Sequence, residues 1–312
     1  MYLTNRADIL SHAQQIAAQY HAQGLSLTVR QLYYQFVARG LLPSGQKEYK
    51  KIVNILSQAR YKGQFNLDLI EDRTRTVHKG DFTRNDDNVR AALNSAAYWV
   101  QQMPEWALVR DRWYGQPVHV SVWVEKEALA GIFETTCNEL GVSWLACKGC
   151  PSVSALWDWV KGARGARDYG GTEQSVILYF GDHDPTGFMI PRSAHEGIGK
   201  LTDVTGDWMD VSVKRVALNM DQVQQYNPPP FWAKTSDTRY QGYVDEHGTT
   251  DAWELDALDP TVLRDLIREE VNELFDEDIH EENNVEIAER REEMLGLMRD
   301  PEWIAAALGG EE

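Results

Sequence analysis

Three carboxylates and a tyrosine with a nearby arginine have the residue types and spacing that could do chemistry. Asp182 and Asp184 close the run Ser175-Val-Ile-Leu-Tyr-Phe-Gly-Asp-His-Asp-Pro-Thr-Gly187. Its apolar part, 175–180, reads as a buried strand that Gly181 and Pro185 stop. Side chains two apart on an extended chain share a side, so Asp182 and Asp184 face one point while His183 turns away. Glu125 stands in the same relation to a second strand, Pro117-Val-His-Val-Ser-Val-Trp-Val124. Ligands of open α/β sheets bind beyond the carboxyl ends of strands. An all-oxygen donor set there suits a hard cation, Mg2+ or Mn2+. The competing reading is a plain turn, because Asp, Pro and Gly all favour turns. Glu125 at a matching strand end weighs against it.

The other constellation is Arg30-Gln-Leu-Tyr-Tyr34. Arg30 and Tyr34 are four apart and share a helix face. A phenolate can attack a phosphate, and a guanidinium can hold that phosphate and lower the tyrosine pKa. Half-buried tyrosines that fill a core and keep the hydroxyl at its rim give the same pattern without chemistry.

The elements that must position these groups follow from periodicity. Residues 5–22 read as a first helix, with Ile9, Ala13, Ile16, Ala17 and Tyr20 at helical spacing. Thr28 is the expected N-cap of a second helix through Arg39, and Gly40 its stop. A third helix spans 47–62 with Ile52, Ile55, Leu56 and Ala59 on one face. Residues 67–77 are strand-like. Three helices and a short strand pair outline a winged helix-turn-helix, whose third helix would offer Lys50, Lys51 and Arg60 to DNA; a solvated basic face is the bland alternative. Residues 90–109 read as helical. Beyond them strands and helices alternate: a helix over 128–140, a strand over 141–146, a helix over 152–160, a Gly-rich loop over 161–171, a helix from Gly187 and a strand over 211–218. Lys148-Gly149 could give a cation and backbone N–H groups to a phosphate. Trp253-Glu-Leu-Asp-Ala-Leu258 could return Glu254 and Asp256 toward the site. Residues 260–298 form a charged helical stretch broken near 276–284, whose apolar face, Leu263, Leu266, Ile267, Val271 and Leu274, suits docking on the body or self-association. This predicts an α/β fold with a parallel sheet covered by helices. The expected parts are a winged-helix domain at 1–88, a helical connector at 89–114, the sheet domain at 115–259 and an acidic helical tail at 260–312.

Composition sets limits. The net charge is −17, yet residues 1–80 carry +6 while 260–312 carry −12. A polyanion would meet the N-terminal part by preference. The acidic middle repels phosphate unless divalent cations sit on its carboxylates. No apolar run approaches the ~20 residues of a membrane span. The first 20 residues hold no long apolar run, and the three cysteines (Cys137, Cys147, Cys150) are an odd number. Both fit reduced thiols in a cytoplasmic protein. Cys147 and Cys150 have the spacing of half a zinc knuckle, but no second pair follows.

Four pieces occur in an order that resembles the A subunits of type IIB topoisomerases (topoisomerase VI) and the related meiotic break-forming transesterase. They are Ser26-Leu-Thr-Val-Arg-Gln-Leu-Tyr-Tyr34, Val122-Trp-Val-Glu-Lys-Glu-Ala128, Lys148-Gly-Cys-Pro151 and Gly181-Asp-His-Asp-Pro-Thr-Gly187. The resemblance covers about residues 25–220 and implies a Toprim domain. It implies metal ligation by Glu125, Asp182 and Asp184, with Tyr34 as nucleophile and Arg30 as its helper. It further implies a homodimer in which the tyrosine of one subunit serves the metal of another, and an ATPase partner subunit. No extension for docking such an ATPase is evident, and the region after residue 220 does not match these subunits. There the chain looks more like phage- and prophage-encoded Toprim proteins and, more distantly, like the nuclease subunits of condensin-type plasmid-defence systems. The expected function is Mg-dependent DNA strand cleavage through a tyrosyl-DNA intermediate. The alternatives are hydrolysis by a metal-activated water and a non-catalytic DNA-binding accessory; RNA is a further substrate class.

Overall fold

The structure, a computed structural model, describes residues 2–70, 98, 103–206 and 208–299. The N-terminal part is built on three helices, α1 (Arg6–His21), α2 (Val29–Ala38) and α3 (Gln46–Tyr61). Asn5 caps α1 by accepting from the Ala7 amide, and Thr28 and Gln31 form a reciprocal capping box on α2. The helices bury a core of their own, with Ile9, Ile16, Leu32, Phe36, Ile52 and Leu56 at its centre. The wing expected at 67–77 is not seen in its described part. Leu67–Leu69 is a 3-10 turn, and Ile70 makes one parallel bridge to Leu27; residues 71–88 lie outside the described residues. Of the helix expected at 90–109, Tyr98 and α4 (Met103–Ala107) are helical.

The α/β expectation holds for the rest. Strands β1 (Val118–Val124), β2 (Ser143–Ala146), β3 (Gln174–Phe180) and β4 (Asp210–Ala217) form an all-parallel sheet in the order β2-β1-β3-β4. The period of two sorts its two faces. On one, Val122, Val124, Leu178 and Phe180 pack against α5 (Ala130–Leu140) and the later helix α10 (Pro260–Asn272). On the other, Trp123, Ile177 and Tyr179 pack against α6 (Val153–Gly170) and α7 (Pro185–Thr205). After β4 come α8 (Met220–Tyr226), a small antiparallel pair of β5 (Phe231–Trp232) with β6 (Asp251–Ala252), and α9 (Tyr240–His247) between the two.

Two element boundaries differ from expectation. The Gly-rich loop expected at 161–171 is the second half of α6. Leu156, Trp159, Val160 and Ala163 keep a helical apolar face seated on the sheet, and this packing outweighs the weak helix propensity of Gly162 and Gly165. The C-terminal break falls at 273–276, where Asp276 accepts from two amides and starts α11 (Glu277–Met298). Leu263, Ile267 and Val271 of α10 are buried in the sheet core, so this apolar face docks on the body. Among the described residues no helix is long and apolar enough to cross a membrane.

Candidate active site

The register of the sheet creates the site. Val124 pairs with Phe180, and the Glu125 amide donates to the Phe180 carbonyl at 2.8 Å. The chain therefore leaves β1 and β3 at one level, with Glu125 beside Gly181-Asp182. Glu125 Oε2 accepts from the Asp182 amide at 2.9 Å and lies 3.4 Å from the Tyr179 hydroxyl. Asp184 caps α7 through Oδ1, which accepts from the Gly187 amide at 2.7 Å. Gly187 is required by contact: a Cβ there would fall 2.1 Å from the Asp182 carbonyl oxygen and 3.1 Å from Glu125 Oε2. Arg215 of β4 fixes the same turn from beneath. Its guanidinium donates to the carbonyls of Gly187 (2.8 Å), Asp182 (2.7 Å), Gly181 (3.1 Å) and Leu218 (3.0 Å) and lies over Phe188. His183 turns away as expected. It packs among Phe188, Tyr243, His247 and Trp253, with Nδ1 2.7 Å from the Tyr243 hydroxyl. Burial, with His247 and Arg215 nearby, pushes its pKa down to about 4, so the ring is neutral at pH 7.

A second layer of charge closes over this edge. Lys126 Nζ lies 2.8 Å from Asp182 Oδ2, 3.0 Å from Asp256 Oδ1 and 3.7 Å from Glu254 Oε1. The other Asp182 oxygen accepts from the Leu255 amide at 2.8 Å. Glu254 and Asp256 thus return to the site, as the sequence suggested. The isolated bridge between His183 and Trp253 brings them there. From the N-terminal part, Arg30 Nη2 donates to both Glu254 oxygens at 2.7 and 2.8 Å, and Arg30 Nε lies 3.4 Å from Asp256 Oδ2. The Tyr34 hydroxyl donates to the same Glu254 carboxylate. Tyr33, one residue earlier, is buried in the helical core and bonds the Pro43–Gly45 loop.

Burial is the largest influence on the carboxylates. It raises Asp182 to about 7, against the pull of Lys126, and it raises Glu125, to which the Asp184 carboxylate adds. For Lys126, burial would lower the pKa, but Asp256, Asp182 and Glu254 outweigh it and raise it. Tyr34 corrects an expectation. Burial, then Asp256 and Glu254, push its phenol above the ordinary value, while Arg30 is the weakest influence. Arg30 is engaged by carboxylates, and its lowering effect on the phenol is outweighed by theirs and by burial.

The three expected metal ligands reach one sheet edge but do not share a coordination sphere. Among the described residues no three His, Cys, Asp or Glu side chains are grouped closely enough to hold a metal ion. Both Asp182 oxygens are engaged. Glu125 Oε1 and Asp184 Oδ2 accept no hydrogen bond from the described residues, and after burial the Asp184 carboxylate also raises the Glu125 pKa. Two carboxylates with open oxygens fit Mg2+, which completes its shell with water and substrate phosphate.

The expected DNA-contact residues divide. Lys50 is exposed on α3, and Lys51 lies 3.8 Å from Glu48. Arg60 is not a free cation of that face: it donates to the carbonyls of Leu67 (3.3 Å) and Ile70 (3.4 Å) and so pins the turn after α3. Lys148, in the left-handed region at φ 53°, pairs with Glu127 at 3.0 Å. Lys126 and Arg215 were missed. Their signals were present: a lysine directly after Glu125, and a basic pair, Lys214-Arg215, inside a valine-rich strand.

No protein-family model matches this chain, and no curated protein is significantly similar to it.

Proposed function

We propose that the chain is a metal-dependent DNA strand-cleaving enzyme of the topoisomerase VI A-subunit type, with a Toprim-like sheet domain and a DNA-binding helical domain at the N-terminus. The observation that carries this reading is the meeting of Tyr34 with the carboxylate edge: Tyr34 bonds Glu254, which shares Lys126 with Asp182. Nothing in the stability of either part requires a tyrosine, an arginine and the carboxylates of two strand ends to gather there.

A divalent ion held by Glu125 and Asp184 would supply charge stabilisation at the phosphoryl oxygens. Asp182 would join only if Lys126 released its Oδ2. Arg215 and Gly187 hold the turn so that Glu125 and Asp184 keep their spacing. Arg30 would orient the phosphate. Tyr34 is the nucleophile of this reading, and it must first leave Glu254, because a phenol donating to a carboxylate is not poised to ionise. That same contact favours a second reading, hydrolysis by water with Tyr34 as a positioning group. A plasmid-nicking assay with Mg2+ or Mn2+ tests the proposal. Nicked or linear product from the wild type and none from Glu125→Ala is expected; equal product from both contradicts a role for this edge.

A further inference from the structure

The contact between the N-terminal helices and the sheet domain is made mainly by charged and polar groups. Each side keeps a separate apolar core. Between them lie Arg30 and Tyr34 on Glu254 and Asp256, Tyr20 on Asp259, and a cleft of about 290 Å³ where α2 faces Pro228, Pro229 and Val262. Polar contacts of this kind permit relative motion by default. The Arg30 side chain is 44% exposed although its Nη2 and Nε face carboxylates. A guanidinium nitrogen that serves two carboxylate oxygens can serve two phosphate oxygens in the same way.

We infer that Glu254 is an internal phosphate mimic: it plugs the Arg30–Tyr34 face of α2, which is a binding site for a nucleic-acid phosphodiester. This rests on the proposed DNA-cleaving function and adds its regulation. In the plugged state both Glu254 oxygens accept from Arg30 Nη2, one of them also accepts from the tyrosine hydroxyl, and Asp256 lies against Arg30 Nε. Lys126 keeps the plug seated, since it bridges Glu254 and Asp256 to Asp182. A phosphodiester entering the face must displace the Glu254 carboxylate. Displacement frees Tyr34 from its acceptor and leaves Lys126 with fewer carboxylate partners. Binding of DNA and release of the tyrosine are therefore one event, and Tyr34 stays inert until substrate is present. Plug and phosphate compete for the same donors, Arg30 Nη2 and the Tyr34 hydroxyl, so weakening the plug must strengthen the phosphate.

The test is DNA binding without chemistry. A fluorescein-labelled duplex is titrated in EDTA with full-length wild type, Glu254→Gln, Arg30→Ala and Glu254→Gln/Arg30→Ala, with anisotropy as readout at several salt concentrations. Glu254→Gln keeps the side-chain shape and removes its charge. It should bind about tenfold more tightly, the size of one charge-assisted contact, with a salt slope steeper by about one. Adding Arg30→Ala should abolish the gain. Glu281→Gln, on the exposed face of α11, removes a charge elsewhere and should leave affinity nearly unchanged. Unchanged or weaker binding by Glu254→Gln overturns the inference, as does a gain that survives Arg30→Ala or is matched by Glu281→Gln. Thermal unfolding of each variant guards against misfolding, and Glu254→Ala, which needs no side-chain partner, serves as a second unplugged form. Cleavage by the wild type with Mg2+ is scored separately. Cleavage without an effect of Glu254→Gln sinks the plug and leaves the enzyme reading, and the reverse result sinks the enzyme reading alone.

Discussion

Arg215→Ala tests whether the carboxylate turn is held from beneath. The buried guanidinium donates to four carbonyl oxygens, those of Gly181, Asp182, Gly187 and Leu218. Removing it leaves them without these donors, and a buried polar group without a partner costs about 1–3 kcal/mol. The space vacated admits water, which restores part of the loss. The Gly181 carbonyl keeps the Leu218 amide at 2.7 Å, so the other three at the lower figure give about 3 kcal/mol, at the low end of the ~3–5 kcal/mol typical of removing one partner from a buried charged network. Glu125 and Asp182 also lose a nearby positive charge, so the variant should cleave no DNA even when folded. Urea unfolding followed by tryptophan fluorescence measures the first effect. Trp253, which packs on His183 beside the site, is one of the eleven tryptophans that contribute to this signal. Arg215→Lys, with one ammonium in place of the fork, should recover only a minority of the stability. A loss under about 1 kcal/mol for Arg215→Ala, or full recovery by Arg215→Lys, would refute this account of the turn.

Other outcomes rest on the same geometry. Gly187→Ala puts a methyl 2.1 Å from the Asp182 carbonyl oxygen, backbone that cannot swing aside; a loss of ~1–3 kcal/mol in urea unfolding is expected, with cleavage abolished. Ile267→Ala empties a fully buried site where α10 meets the sheet core and should cost ~2–5 kcal/mol in the same assay; a surface-like change would mean that α10 does not dock. Burial pushes the Cys137 and Cys147 thiols up to about 12, whereas Cys150 is exposed. Ellman's reagent should therefore modify only Cys150 quickly in the native protein, even at pH 9, and all three thiols in denaturant.

The sequence showed the carboxylates because they sit where a local rule applies. A strand that stops at Gly181 or Glu125 must present its next residues at the sheet edge, and the parallel register then sets the two ends side by side. Glu254 and Asp256 were legible only as acids in a returning segment; the bridge between Trp253 and His183 that seats them pairs residues far apart in sequence. Lys126 and Arg215 could not be placed, because most of their partners lie in segments far along the chain: Asp182, Glu254 and Asp256 for Lys126, and the 181–187 turn for Arg215. Local rules failed at Gly162 and Gly165, where tertiary packing of Trp159, Val160 and Ala163 extends a helix that composition would end. Arg60 shows a different limit: charge suggested a ligand contact, and the fold also gives it two backbone carbonyls of its own chain, which no sequence pattern shows.

The central claim is that the edge formed by Glu125, Asp182 and Asp184 cuts DNA with Tyr34 as its attacking group. The most direct measurement is incubation of end-labelled DNA with full-length protein and Mg2+ or Mn2+, run on a denaturing gel with and without protease. Wild type should give cut strands, some retarded until protease removes a bound peptide. Glu125→Ala and Asp184→Ala should give neither product. Tyr34→Phe should lose both while Tyr33→Phe, altered only in the helical core, keeps both. Cutting by Tyr34→Phe at the wild-type rate with no protease-sensitive species would assign the attack to water. Wild-type rates from Glu125→Ala, or no metal-dependent cut from the wild type, would contradict the claim itself.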